Sequence, residues 1–172
     1  QQHLKIEQQN WALHDIGQLL ITNFDQAKLV EIIADGMPKL GIPGCYLALY
    51  ENARPYSYRQ PPPEWSQMVL ACNENGRVPL APNRQRFLTR HLVPEGILPK
   101  DRRFTMMIEP LYFRDEQIGF VLLERGPLEG NVYEMLRGQI ASALKGASLL
   151  WAHTQAEAEL RQHQDHLDEL VQ

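Results

Sequence analysis

Cysteine is nearly absent. Cys45 and Cys72 are the two thiols in 172 residues, too few and too far apart in sequence to suggest a disulfide framework, and this favours a reducing compartment. No apolar run approaches about 18 residues and no basic segment leads into an apolar one, so nothing reads as a membrane span or a signal peptide. Neither sign of charge dominates: a net charge of −4 gives no general attraction to nucleic acid or to an anionic lipid surface. Compact metal-ligand spacing is missing too. His153, His163 and His166 lie near Asp165 and Asp168, but no cysteine or second histidine cluster completes a site, and no metal is expected. What remains is a cytoplasmic globular chain, 44% apolar, long enough for one domain with extensions.

The scarcity of helix breakers is local. Beyond Pro127 there is no proline and beyond Gly146 no glycine, so one helix of about 40 residues, about 60 Å long, is predicted from the turn at 126–130 to the end. Asn131 with Glu134 three residues on resembles a capping box at its start. Val132, Leu136, Ile140, Ala143 and Leu144 form a broad face suited to packing on a sheet. Further on, Leu149, His153, Ala156, Leu160, His163, Leu167 and Leu170 alternate spacings of four and three, a narrow heptad seam that calls for a second helix. The chain begins at Gln1 and ends within this pattern, which reads as a segment of a longer polypeptide.

The most informative stretch is Glu109 to Glu124. Ile108 to Phe113 and Ile118 to Leu123 are two apolar runs of strand length, joined by the polar turn 114–117, and both are expected to be covered on both faces. Gly119 marks a point of close approach. Upstream, Leu4, Trp11, Leu13, Ile16, Leu19 and Leu20 give a first amphipathic helix over 3–20. Asp25 caps a second helix carrying Leu29, Ile32, Ile33, Met37 and Leu40, and Gly41 ends it. Cys45 to Tyr50 is the first strand, and Ser66 to Cys72 pairs beside it after a proline-rich loop. The segment from 78 to 103, rich in proline and glycine, is an irregular connection with short helical turns over the sheet, a common place for ligands.

These elements, in this order, resemble a GAF domain over about residues 13–150. The resemblance rests on Leu29 to Gly41 before Cys45 to Glu51, on Glu109-Pro-Leu-Tyr112 with Ile118 to Leu123, and on Gly138 to Lys145 within the final helix. It implies an α+β fold: an antiparallel sheet of five or six strands, terminal helices on one face, and a pocket of loops and short helices on the other. The implied division is a linker helix over 1–20, the GAF-like domain over 21–150, and a coiled-coil signalling helix over 151–172.

The resemblance further implies a non-catalytic sensor of a bacterial two-component type of system, with a histidine kinase or diguanylate cyclase output domain and a homodimer joined through the terminal helices. Leu4, Trp11, Leu149, Leu160, Leu167 and Leu170 are the expected dimer contacts. His166 is not read as a kinase acceptor, because Leu167-Asp168-Glu169 follows it instead of the acidic residue and Arg-Thr-Pro string usual there.

No cofactor is named by the sequence. The Asn-Lys-x-Phe-Asp-Glu string of cyclic-nucleotide-binding members and the Cys-His pair that anchors linear tetrapyrroles are missing. The segment 84–103 carries a local excess of positive charge, and Arg84, Arg86 and Arg90 with His91, Tyr46 and Phe87 are the candidate residues for a small anionic ligand. Cys45 in an apolar strand and Cys72 near a strand end read as packing residues. The alternatives are a GAF-fold cysteine enzyme of the kind that reduces free methionine sulfoxide, or a spacer whose pocket is filled by its own side chains.

Overall fold

The computed structural model describes residues 2–171. Helix α1 (Gln2–Ile21) turns through Thr22–Phe24 into α2 (Gln26–Lys39), whose N-terminus is capped by Asp25: its carboxylate accepts a hydrogen bond from the Ala27 N–H at 2.8 Å. Gly41, at φ +74°, takes the left-handed conformation that closes this helix. The sheet follows: β1 (Cys45–Pro55), β2 (Trp65–Asn73), β3 (Gly76–Arg77), the short helix α3 (Pro82–Gln85), β4 (Arg86–Leu88), β5 (Met106–Phe113) and β6 (Glu116–Glu124). The order is β3-β2-β1-β6-β5, with β4 on β2, and every pairing is antiparallel. Helix α4 (Gly130–Val171) ends the chain.

Each face of the sheet has its own core. On the helical side, Leu13, Ile16 and Leu20 of α1, Leu29, Ile33 and Met37 of α2, and Leu136, Ile140 and Leu144 of α4 pack on Cys45, Leu47, Leu70, Cys72, Leu111, Val121 and Leu123. On the other side Tyr46, Ala48, Met68, Ala71, Phe120 and Leu122 meet Phe87 and Ile97 of the connection. Alternate residues of β1 and β6 serve opposite cores, which is why both strands are apolar without alternation.

Three expectations change. The hairpin turn is Arg114-Asp115, two residues instead of four, because β6 already begins at Glu116. Of the two hairpin strands, β6 alone is covered on both faces. β5 is an edge strand, with Ile108 and Tyr112 exposed, and Pro110 supplies no N–H there, as suits an edge. No capping box forms at Asn131, since it lies inside α4 and the Glu134 carboxylate pairs with Arg137, at 2.5 and 3.1 Å. Arg137 is buried and stacks 4.2 Å from the centre of the Tyr112 ring, joining α4 to the edge strand.

Two contacts fix how the terminal helices run. Gly17 abuts Gln139, and seven residues further on in both segments Phe24, just past the end of α1, lies against Gly146. α1 and α4 are therefore parallel and in step. The last buried residue of α4 is Ala147, and 148–171 is exposed throughout.

Candidate functional site

The connection between β3 and β5 is tied to the sheet at two ends. At the first, β4 pairs with the start of β2, and the buried Ser66 and Thr89 hydroxyls share a hydrogen bond of 2.7 Å. The Arg86 guanidinium lies 3.8 Å from the centre of the Trp65 ring and holds Glu51 through two bonds, at 2.5 and 3.1 Å. At the second, Arg102 bridges two carboxylates: Glu74 in the β2–β3 turn, at 2.7 and 2.9 Å, and Glu124 at the end of β6, at 2.5 and 2.8 Å. Glu124 is buried, and its N–H donates to the Gly44 carbonyl, so the latch grips the point where β6 leaves the sheet for α4.

The hydrogen bonds from Arg102 hold the Glu74 carboxyl down to about 2, while those that Arg102 donates to Glu124 and then to Glu74 raise the guanidinium further above its usual range. A carboxyl whose pKa is lower in the folded state adds stability above its unfolded value, about 4.3, and that stability is lost as pH falls towards the folded value. Arg102→Ala is therefore expected to lower Tm at neutral pH, by an amount that shrinks as pH is lowered from about 5 towards 2. Thermal melts of both proteins across that range check it.

The candidate ligand residues divide. Arg86, Phe87 and His91 come together with Trp65, Glu95 and Lys100 around a groove of about 570 Å³. Arg90 is exposed on the 3-10 turn Thr89–His91, and the side chain of Arg84 in α3 lies outside the described residues. Tyr46 is not in that groove. It is fully buried between sheet and connection, its hydroxyl has no hydrogen-bond partner among the described residues, and burial followed by the charge of Glu124 pushes its pKa up to about 12. As with Arg86, the cationic side chain of Arg102 is spent on carboxylates of the chain itself. The residues that composition could not identify are those carboxylates, Glu51, Glu74 and Glu124, because each lies far in sequence from the arginine it binds.

Nor are the cysteines distant. Cys45 and Cys72 are direct partners across β1 and β2. Burial, and then the neighbouring Cys72, raises the Cys45 thiol well above its ordinary value, and burial raises Cys72 against the opposing effect of Arg77. Thiols so protonated are poor nucleophiles, which argues against the cysteine-enzyme reading.

No family model and no curated protein matches the chain. Among solved structures it is similar to the GAF domain of a phosphoenolpyruvate-protein phosphotransferase from Acinetobacter, with a TM-score of 0.53 and 11% identity, over 84% of this chain and 95% of that one. The likeness is one of fold: a GAF-like antiparallel sheet between terminal helices and a covering connection.

Proposed function

We propose that the chain is a regulatory, non-catalytic sensor module that pairs with a second copy through α1 and α4. The state of its domain passes along α4 to an output domain of the histidine kinase or diguanylate cyclase type. One observation carries this reading. The first part of α4 is built into the core through Leu136, Ile140 and Leu144, while Leu149, Leu160, Leu167 and Leu170 form an exposed heptad seam on the same uninterrupted helix. Leu4 and Trp11 are exposed on α1, which runs beside α4, so both helices offer apolar surface to a second copy.

A ligand acts on such a dimer only through its different affinity for two packings of the paired helices. The groove beside Trp65, with His91 and Lys100, is the place for a small anion, which would compete with Glu51 for Arg86 at its edge, and the Arg102 latch links the covering connection to the root of α4. Against a ligand held directly on the sheet stands the packing of Tyr46, Met68, Phe87 and Phe120, which fills that space and favours the spacer reading. Sedimentation equilibrium of the chain tests the proposal. A dimer is expected, and a monomer at high concentration would overturn it.

A further inference from the structure

We infer that Asn75 is a site of covalent self-modification, where the Gly76 peptide nitrogen closes on the Asn75 side chain and the turn becomes isoaspartyl. The inference rests on the β2–β3 turn and stands apart from the dimer. Asn75 is the one asparagine of the chain followed by glycine. After every other asparagine the next residue carries a side chain that crowds the peptide nitrogen which must attack. Asn75 and Gly76 are both exposed, and a Cβ at Gly76 would meet nothing within 4 Å, so the approach is open. The turn is also lightly held. β3 is two residues long and lies at the sheet edge, paired as Asn73 with Gly76 and Cys72 with Arg77. Within the turn the Asn75 N–H donates to the Asn73 side-chain oxygen at 2.9 Å, and Gly76 takes φ +104°, which suits glycine. Swinging the Asn75–Gly76 peptide towards the side chain therefore disturbs an edge turn and neither core.

The Gly76 N–H gives its proton to hydroxide, and the nitrogen attacks the side-chain carbonyl carbon of Asn75. The bond from that carbon to its NH2 breaks, and ammonia leaves with a proton from water, which restores the hydroxide. A cyclic imide remains. Water then opens it on one of two sides: cleavage at the side-chain carbonyl gives aspartate in the normal linkage, and cleavage at the main-chain carbonyl leaves the chain running through the side chain. In sum, one water is taken up and one ammonia is released. The isoaspartyl product places one extra bond between Glu74 and Gly76 and a new carboxylate beside the turn. Glu74 is the carboxylate that Arg102 holds at 2.7 and 2.9 Å, and the same guanidinium reaches Glu124 at the root of α4. The lengthened turn no longer fits the pairing of Asn73 with Gly76 that positions Glu74, and the outer half of the latch is released.

The test holds the folded protein in mildly alkaline buffer and follows it by peptide mass spectrometry, with a synthetic peptide spanning Ala71–Val78 as reference. A gain of about 1 Da is expected at Asn75 ahead of every other asparagine, with isoaspartate, distinguished by enzymatic methylation, in excess of aspartate. Asn75→Gln is expected to stay unmodified over the same period. The purified isoaspartyl form is expected to melt several degrees below the unmodified protein, whereas Asn75→Asp, with the normal linkage, melts close to it. In Arg102→Ala, where the latch is already open, the same modification is expected to shift Tm much less. An Asn75 that stays intact in the folded protein while the reference peptide converts fully would overturn the site, as would modification only after unfolding. An equal loss of Tm with and without Arg102 would overturn the link to the latch. The wild-type peptide masses decide the site even if a variant fails to fold.

Discussion

Gly119→Val is expected to destabilise the domain by about 3 kcal/mol or more, enough to leave much of it unfolded at 37 °C. Gly119 sits opposite Leu49 of β1, where the register of β1 on β6 breaks before resuming at Arg54. A Cβ built there lies 2.1 Å from the Ala48 carbonyl oxygen and 2.9 Å from the Leu49 Cα. The obstacle is backbone in the middle of the sheet, so no side-chain rotation relieves it, and β1 must move off β6. Gly138→Ala is the control: its Cβ meets nothing within 4 Å, and alanine in a helix interior is worth about 0.5–1 kcal/mol over glycine. Urea unfolding should therefore move the two variants in opposite directions.

The double variant Leu160→Asp, Leu167→Asp is expected to weaken self-association at least about 100-fold, about 2.7 kcal/mol, while leaving the domain folded. Both leucines lie on the seam beyond Ala147, and each is exposed in the single chain, at 61% and 49%. A carboxylate there touches no part of the core and costs nothing in the monomer beyond helix propensity. In a paired seam it must be buried beside its own symmetry mate, where like charges repel and lose their water. A normal melting curve together with a monomer mass in sedimentation is the expected signature. An unchanged dimer would mean that the seam is not the contact.

Much of the fold is legible in the sequence because its signals are local. Asp25 before an apolar 3.6-residue pattern, Gly41 after it, and two apolar runs about a short polar turn are each decided by neighbours in the chain. Gly119 was legible for the same reason, as a glycine interrupting an apolar strand. The coverage of β5 was not. Ile108 to Phe113 looks as apolar as Ile118 to Leu123, and only the strand order makes one an edge and the other central. The candidate site was less legible still. Positive charge over 84–103 is visible in composition, but whether an arginine awaits a ligand depends on carboxylates that approach only after folding. Arg86 meets Glu51 from β1, and Arg102 meets Glu124 from β6. The cross-strand position of Cys45 and Cys72 likewise follows from register, which the sequence between them does not specify.

In the proposed dimer α4 leaves the domain to run beside its counterpart from a second copy, parallel and in step. Spin labels on Ala158→Cys and, separately, on Asp165→Cys test it by dipolar spectroscopy, since both positions are exposed and lie one heptad apart on the side of α4 away from the seam. A parallel pair predicts the same distance from both labels, about two helix diameters or roughly 20–25 Å. An antiparallel pair would give distances that differ, because moving both labels by seven residues changes their axial offset by about 21 Å. Unequal distances, or no dipolar coupling at all, would contradict a parallel pairing of α4.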